Sequence, residues 1–160
     1  MANKKRRKVR QPKKEFELYI IEIDSWEAPY FFGVNFNKDI IDGPFWEHAS
    51  VKISGKFIQP GKIEEKAVSI SVYGDRDITP CLTDPVKYDE YKPKAVGTLT
   101  VRGKLRDGSA WFPIDILPVI ISMLGAERYR YIAMQGHALY RGHANIRSVS
   151  FHQEYDEDDW

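Results

Sequence analysis

The stretch "HASVKISGKFI" (48–58) limits what this chain can fold into more than any other segment. Val51, Ile53 and Phe57 fall on one side of an extended backbone, and Lys52 and Lys56 fall on the other. Successive side chains of a strand point to opposite faces, so this period of two marks a strand with one face in a core and one in water. Similar runs recur along the chain. In "EFELYIIEIDSW" (15–26), Phe16, Leu18 and Ile20 share one face while Tyr19, Ile21 and Ile23 share the other, which predicts a central strand. "YFFGVNF" (30–36), "KAVSISVYG" (66–74), "VGTLTVRG" (96–103), "AWFPI" (110–114), "RYRYIAMQ" (128–135) and "HANIRSVSF" (143–151) complete a set of about eight. Asp107-Gly108 in "RDGS" predicts the bend of a hairpin, and Gly142 predicts a bulge.

One helix is expected, near 115–124 in "DILPVIISMLGAE". Asp115 suits its N-cap, Pro118 its first turn and Gly125 its C-terminal stop. The segment is apolar nearly all round, so it should lie buried against the sheet. Asp75 to Lys94, with Pro80, Pro85, Pro93 and many charges, is expected to be a long irregular loop. The fold class that follows is mainly β, an antiparallel meander of about eight strands closed into a barrel or folded as a sandwich, with one short buried helix. In a sandwich an uncovered edge strand would allow a homodimer to form.

Charge divides the chain into three parts. Residues 1–14 carry Lys4, Lys5, Arg6, Arg7, Lys8, Arg10, Lys13 and Lys14 and no acid, so this arm should be extended and mobile. Residues 15–153 form the single β domain expected of a 160-residue chain. Residues 154–160 carry Glu154, Asp156, Glu157, Asp158 and Asp159 and no base. The formal net charge of +1 therefore hides two oppositely charged ends. Cys81 is the sole cysteine, which rules out an internal disulfide. The basic start is not followed by an apolar segment of signal-peptide type, and no apolar run approaches membrane-spanning length. No contact with a membrane is expected, and the location follows as cytoplasmic.

Lys and Arg at the density of 1–14 can neutralise phosphates and release counterions, which makes the arm a candidate nucleic-acid contact with steep salt dependence. "KKRRKV" also has the composition of a nuclear-localisation patch, and a solvated tail or a partner contact are the further readings of the arm. At the other end, "EYDEDDW" resembles the C-terminal tip of bacterial single-stranded-DNA-binding proteins, an acidic tail closed by one aromatic residue. The likeness covers only these last residues, and Trp160 stands where that family has Phe after Pro. It implies a peptide ligand in which Tyr155, Asp156, Asp158, Asp159 and Trp160 contact a partner, the aromatic in a pocket and the acids on a basic rim. The two ends could also meet each other, but only at close range through the salt of a cell.

Other chemistry is thin. His137 and His143 recur in a "GHA" frame, yet on one strand they would stand roughly 20 Å apart, too far to share a zinc ion unless a turn intervenes. Asp75 and Asp77 could bind Mg²⁺ or work as acid and base, but turn chemistry explains them as well. Tyr73, Arg76 and Trp111 are the types that make a binding surface, and their spacing does not bring them together. Phosphate loops, nucleophile elbows and metalloprotease motifs are all absent, and Cys81 has no activator in sequence. The expectation is therefore a chain without catalytic residues, cofactor or metal. It is read as a protein-interaction or accessory module with an unknown protein partner. A nucleic-acid binder using the arm is the second reading, and a barrel holding one small ligand is the third.

Overall fold

The alternating runs wrap around a common axis, so their inward side chains meet in one core. The computed structural model describes residues 16–34, 44–64, 66–87 and 94–156. Its strands are β1 (Glu17–Glu27), β2 (Tyr30–Val34), β3 (Phe45–Gln59), β4 (Ala67–Asp75), β5 (Gly97–Arg102), β6 (Leu105–Pro113), β7 (Tyr131–Gly136) and β8 (His143–His152). They lie in the order β1-β7-β8-β5-β6-β4-β3-β2, and β1 also pairs with β3. Seven strands thus close into a barrel, and β2 remains outside the ring. β3 makes this possible by its length of 15 residues. Its first five residues pair with β2, and the rest pair with β4 on one side and β1 on the other.

The barrel of about eight strands is as the periodicity implies, but the strand order is not that of a simple meander. β4 and β6 run parallel, with Tyr73 opposite Trp111, and β5 is reached only by passing through β6. The intervening segment, expected to be irregular, contains a short helix, α1 (Ile78–Thr83). Pro80 lies in its first turn, where no helical acceptor is needed. The hairpin bend also differs. Arg102 pairs with Leu105, so the turn falls at Gly103-Lys104, where Gly103 has φ 58°. Asp107 and Gly108 are inside β6 instead. Gly108 faces the core, and a Cβ there would lie 2.7 Å from Ile70 Cδ1. The small residue is demanded by packing and not by a turn.

Tyr19 and Ile21 of β1, Val51, Ile53 and Phe57 of β3, Val68, Ile70 and Val72 of β4, and Ile132 and Met134 of β7 form a single cluster with Leu99 and Ile146. Most are fully shielded from solvent. At this strand number the interior is wide enough for side chains, and here side chains fill it. Tyr19 carries a hydroxyl into this core. It donates to the His137 carbonyl at 2.9 Å, and burial pushes its pKa well above the usual phenol value. At the opposite end helix α2 (Leu117–Gly125) joins the cluster through Leu117, Ile120 and Leu124. Leu117 packs against Gly74 at the end of β4, so the helix closes that mouth.

The ends of α2 differ in detail from the sequence expectation. Asp115 lies within a 3-10 turn, Ile114–Ile116, and Ile116 takes the cap position. Gly125 is the last helical residue. The left-handed position is occupied by Glu127, φ 55°. Its N–H donates to Leu124 O at 3.0 Å, and Arg128 N–H donates to Met123 O at 2.9 Å, the paired bonds of a Schellman stop. Outside the barrel, the β1–β3 seam is laced by Lys56 to Glu22 at 2.9 Å and Lys52 to Glu27 at 3.6 Å. Both pairs face each other directly across the strands and favour this register. Among the described residues no helix is long and apolar enough to cross a membrane.

A side chain at a left-handed position costs about 1–2 kcal/mol, partly offset by the entropy glycine loses on folding. Glu127→Gly is therefore expected to stabilise the protein by about 1 kcal/mol, read as a higher midpoint in urea unfolding with an unchanged slope. An unchanged or lowered midpoint would count against the Schellman stop.

Candidate aromatic groove on the barrel wall

Inward alternation fixes outward alternation. With Val51, Val72 and Ala110 facing the core, Lys52, Tyr73 and Trp111 fall on the outer face of β3, β4 and β6. Beyond the barrel rim, β3 continues with β2 as a two-stranded ribbon. Phe31 pairs with His48 and Gly33 with Trp46, which places these four on one face of the ribbon. Tyr30, Phe32, Val34, Phe45 and Glu47 fall on the other.

The ribbon face and the barrel wall form a continuous row of rings. Phe31 and His48 have centroids 6.1 Å apart, His48 and Tyr73 meet edge to face at 5.4 Å, and Tyr73 and Trp111 stack at 6.0 Å and 26°. Phe32 and Phe45 stack on the reverse face at 5.7 Å. His48, Tyr73 and Trp111 of this row line a groove of about 990 Å³ together with Phe32, Phe45, Trp46, Glu47, Asp75, Arg76 and Asp77. Phe31, Phe32 and Phe45 are more than half exposed, at 52%, 62% and 60%. Exposed rings of this number make the ribbon and the groove the most apolar part of the described surface to be explained.

The charges around the groove are ordered. Arg76 Nη2 reaches Glu47 Oε2 at 2.6 Å, and its Nε donates to the same oxygen at 2.7 Å. Tyr30 OH donates to Glu47 Oε1 at 3.1 Å. The hydrogen bonds from Arg76 hold the Glu47 carboxyl below its usual range, and Glu47 in turn raises the Tyr30 phenol. Asp75 Oδ1 accepts the Asp77 N–H at 2.8 Å, a local turn at the exit of β4. Three carboxylates and one guanidinium thus line the groove, which makes it acidic overall.

The residues singled out in the sequence have different fates. Tyr73, Arg76, Trp111, Asp75 and Asp77 are brought to this one groove, through the parallel β4–β6 pairing that the sequence order does not reveal. A turn does separate His137 from His143. Arg141 and Gly142 have φ 53° and 84°, the signature of a two-residue hairpin turn, so Gly142 serves the turn, and the irregularity in β7–β8 pairing falls at Gln135/Gly136. The two histidines nevertheless have separate partners. His137 Nε2 lies 3.2 Å from Arg147 Nη2, and its ring stacks on Phe16, whereas His143 Nδ1 lies 3.3 Å from Thr100 Oγ1. Among the described residues no three His, Cys, Asp or Glu side chains gather as metal ligands. Cys81 Sγ is 3.1 Å from the Asp77 carbonyl oxygen within α1. Tyr155 has its ring 6.0 Å from that of Tyr131. The eight basic residues from Lys4 to Lys14, together with Asp158, Asp159 and Trp160, lie outside the described residues.

The ribbon aromatics escaped the sequence reading. A strand apolar on both faces normally signals burial, and Phe45 and Trp46 precede the run in which alternation becomes visible. The available signal was the density of rings in "YFFGV" together with "FW" eleven residues later.

Because the folded Glu47 pKa is lowered, its contribution to stability is present above its ordinary value, about 4.3, and is lost as pH falls through the lower folded value. Carboxyl NMR titration should show Glu47 titrating below its ordinary value in the native chain and moving upward in Arg76→Ala. An unshifted Glu47, or no response to that substitution, would remove the ion pair from the account. Comparison of the chain with protein-family models, with curated proteins and with solved structures yields no significant match to any of them.

Proposed function

We propose that this chain is a non-enzymatic protein-interaction module that receives a polypeptide segment in the groove lined by His48, Tyr73 and Trp111. The observation that carries the reading is the exposed row of rings bordered by Glu47, Asp75 and Asp77. Rings supply large contact area at low entropic cost, and interfaces concentrate their energy in such anchors. The carboxylates favour a segment that combines apolar and basic side chains, whose cations can also lie over the ring faces.

A second reading, nucleic-acid binding by the basic arm, has its own support at the other end of the barrel. Phe16, where the described body begins, stacks on His137, and Arg147 lies 5.0 Å above its ring. Lys94 borders the same hollow. An arm carrying phosphate contacts would enter the body beside further cations. The aromatic groove itself is a poor phosphate site because of its carboxylates.

Trp111→Ala and Tyr73→Ala are outward substitutions that leave the core intact. Each is expected to weaken capture of partner proteins from a lysate by at least roughly tenfold, the loss of an anchor of about 2 kcal/mol, while the thermal midpoint stays near that of the native chain. Equal capture by both variants would refute the groove. Fluorescence polarisation with single-stranded oligonucleotides at low and moderate salt decides the second reading. Binding that is salt-dependent, lost without residues 1–14 and indifferent to Trp111→Ala would replace the first reading with the second.

A further inference from the structure

The outer edge of β2 is the terminal edge of the sheet, and among the described residues nothing pairs with it. Soluble proteins usually guard such edges with charge, proline or a bulge. β2, "YFFGV", has none of these, and both faces of its ribbon expose rings. An unguarded apolar edge of this kind is a template for another strand.

We infer that β2 pairs antiparallel with β2 of a second copy of this chain, about a two-fold axis at Phe32. The argument for a second copy lies in the sequence of the strand. Antiparallel self-pairing centred on Phe32 sets Tyr30 against Val34 of the other copy, Phe31 against Gly33, and Phe32 against itself. Each bulky ring off the axis thus meets a smaller residue. Gly33 already lies under the Trp46 indole, since a Cβ there would be 2.5 Å from Trp46 Nε1. Phe31 of the other copy would continue that contact along the same face. No charge of β2 faces its own like across the axis, which would be unfavourable. Five rings, Tyr30, Phe31, Phe32, Phe45 and Trp46, are between 47% and 62% exposed. In the pair, the flanks of Tyr30, Phe31 and Phe32 nearest the seam gain contacts across the axis beside the backbone hydrogen bonds of the new strand pair. This inference goes beyond the groove reading and does not depend on it.

Sedimentation velocity of the full chain, over about a hundredfold range of concentration reaching roughly 100 µM, should show a reversible species of twice the 18.6 kDa chain mass. Phe32→Lys places two ammonium groups against each other at the axis, while within one copy it faces Glu47. It should raise the dissociation constant at least roughly tenfold with the circular dichroism spectrum unchanged. In a Cys81→Ser background, Phe32→Cys should form an intermolecular disulfide under mild oxidation, because residues opposed across a strand pair bring their Cβ atoms to about 5 Å. Tyr30→Cys, which faces Val34 of the other copy, should not. A native chain that stays monomeric at every concentration overturns the self-pairing and leaves the groove to its own Trp111 test. So does a dimer that survives Phe32→Lys or cross-links equally through both cysteines.

Discussion

Everything in this molecule depends on β1 pairing along both of its edges. Its first six residues are bonded to β7, and from Ile20 onward it is bonded to β3 as well, with irregularities at Ile20/Ile21 and Ile23/Ser25 that let the strand turn from one neighbour to the other. Without that second pairing the sheet would be open, and Tyr19, Ile21 and Phe57 would have no enclosed space to fill. Closure removes two edges that would otherwise need protection. It also explains why Tyr19 can bury a hydroxyl: the backbone carbonyl of His137 at the barrel end satisfies it.

The same closure leaves one strand over. β3 is longer than the ring requires, and its surplus residues pair only with β2. The ribbon therefore projects from a solid body, and its rings have no core to enter. The groove beside it arises where this surplus meets the ends of β4 and β6. A rigid barrel supports the inner wall through Tyr73 and Trp111, and the ribbon supplies the outer wall. Contact surfaces positioned in this way lose little entropy on binding, because the rings are already ordered against one another.

The charges are distributed unequally between the two ends of the barrel. Carboxylates dominate at the groove, while Arg147, His137 and Lys94 gather where β1 begins. Glu47 is tied to Arg76 and Tyr30, so its charge is retained under mildly acidic conditions. The alternation along β3 and β4 was legible because each inward residue is apolar and each outward one polar or charged, from Val51 and Lys52 to Val68 and Ser69. The helix was legible from its apolar run, but its stop was not. Gly125 is the better left-handed residue on propensity, yet the chain must run two residues further to reach Tyr131, and Glu127 takes the strain. Asp107-Gly108 misled for a similar reason, as local turn chemistry yielded to the need for a small residue beside Ile70.

Alone, the sequence determined where most of the strands would lie, that β3 and β4 would be half-buried, and that one apolar helix would cover the sheet. These properties follow from neighbours two or four residues apart, which any reader of the chain can see. The tertiary structure alone decided that β4 lies beside β6 and that β1 meets β3. Those pairings join residues tens of positions apart, and backbone hydrogen bonds carry no label of their partner. The site inherits that limit. Tyr73 and Trp111 are ordinary outward residues of two strands until the parallel pairing sets them face to face. The rings of β2 belong to one more apolar strand in the sequence, until closure of the barrel leaves that strand outside the ring.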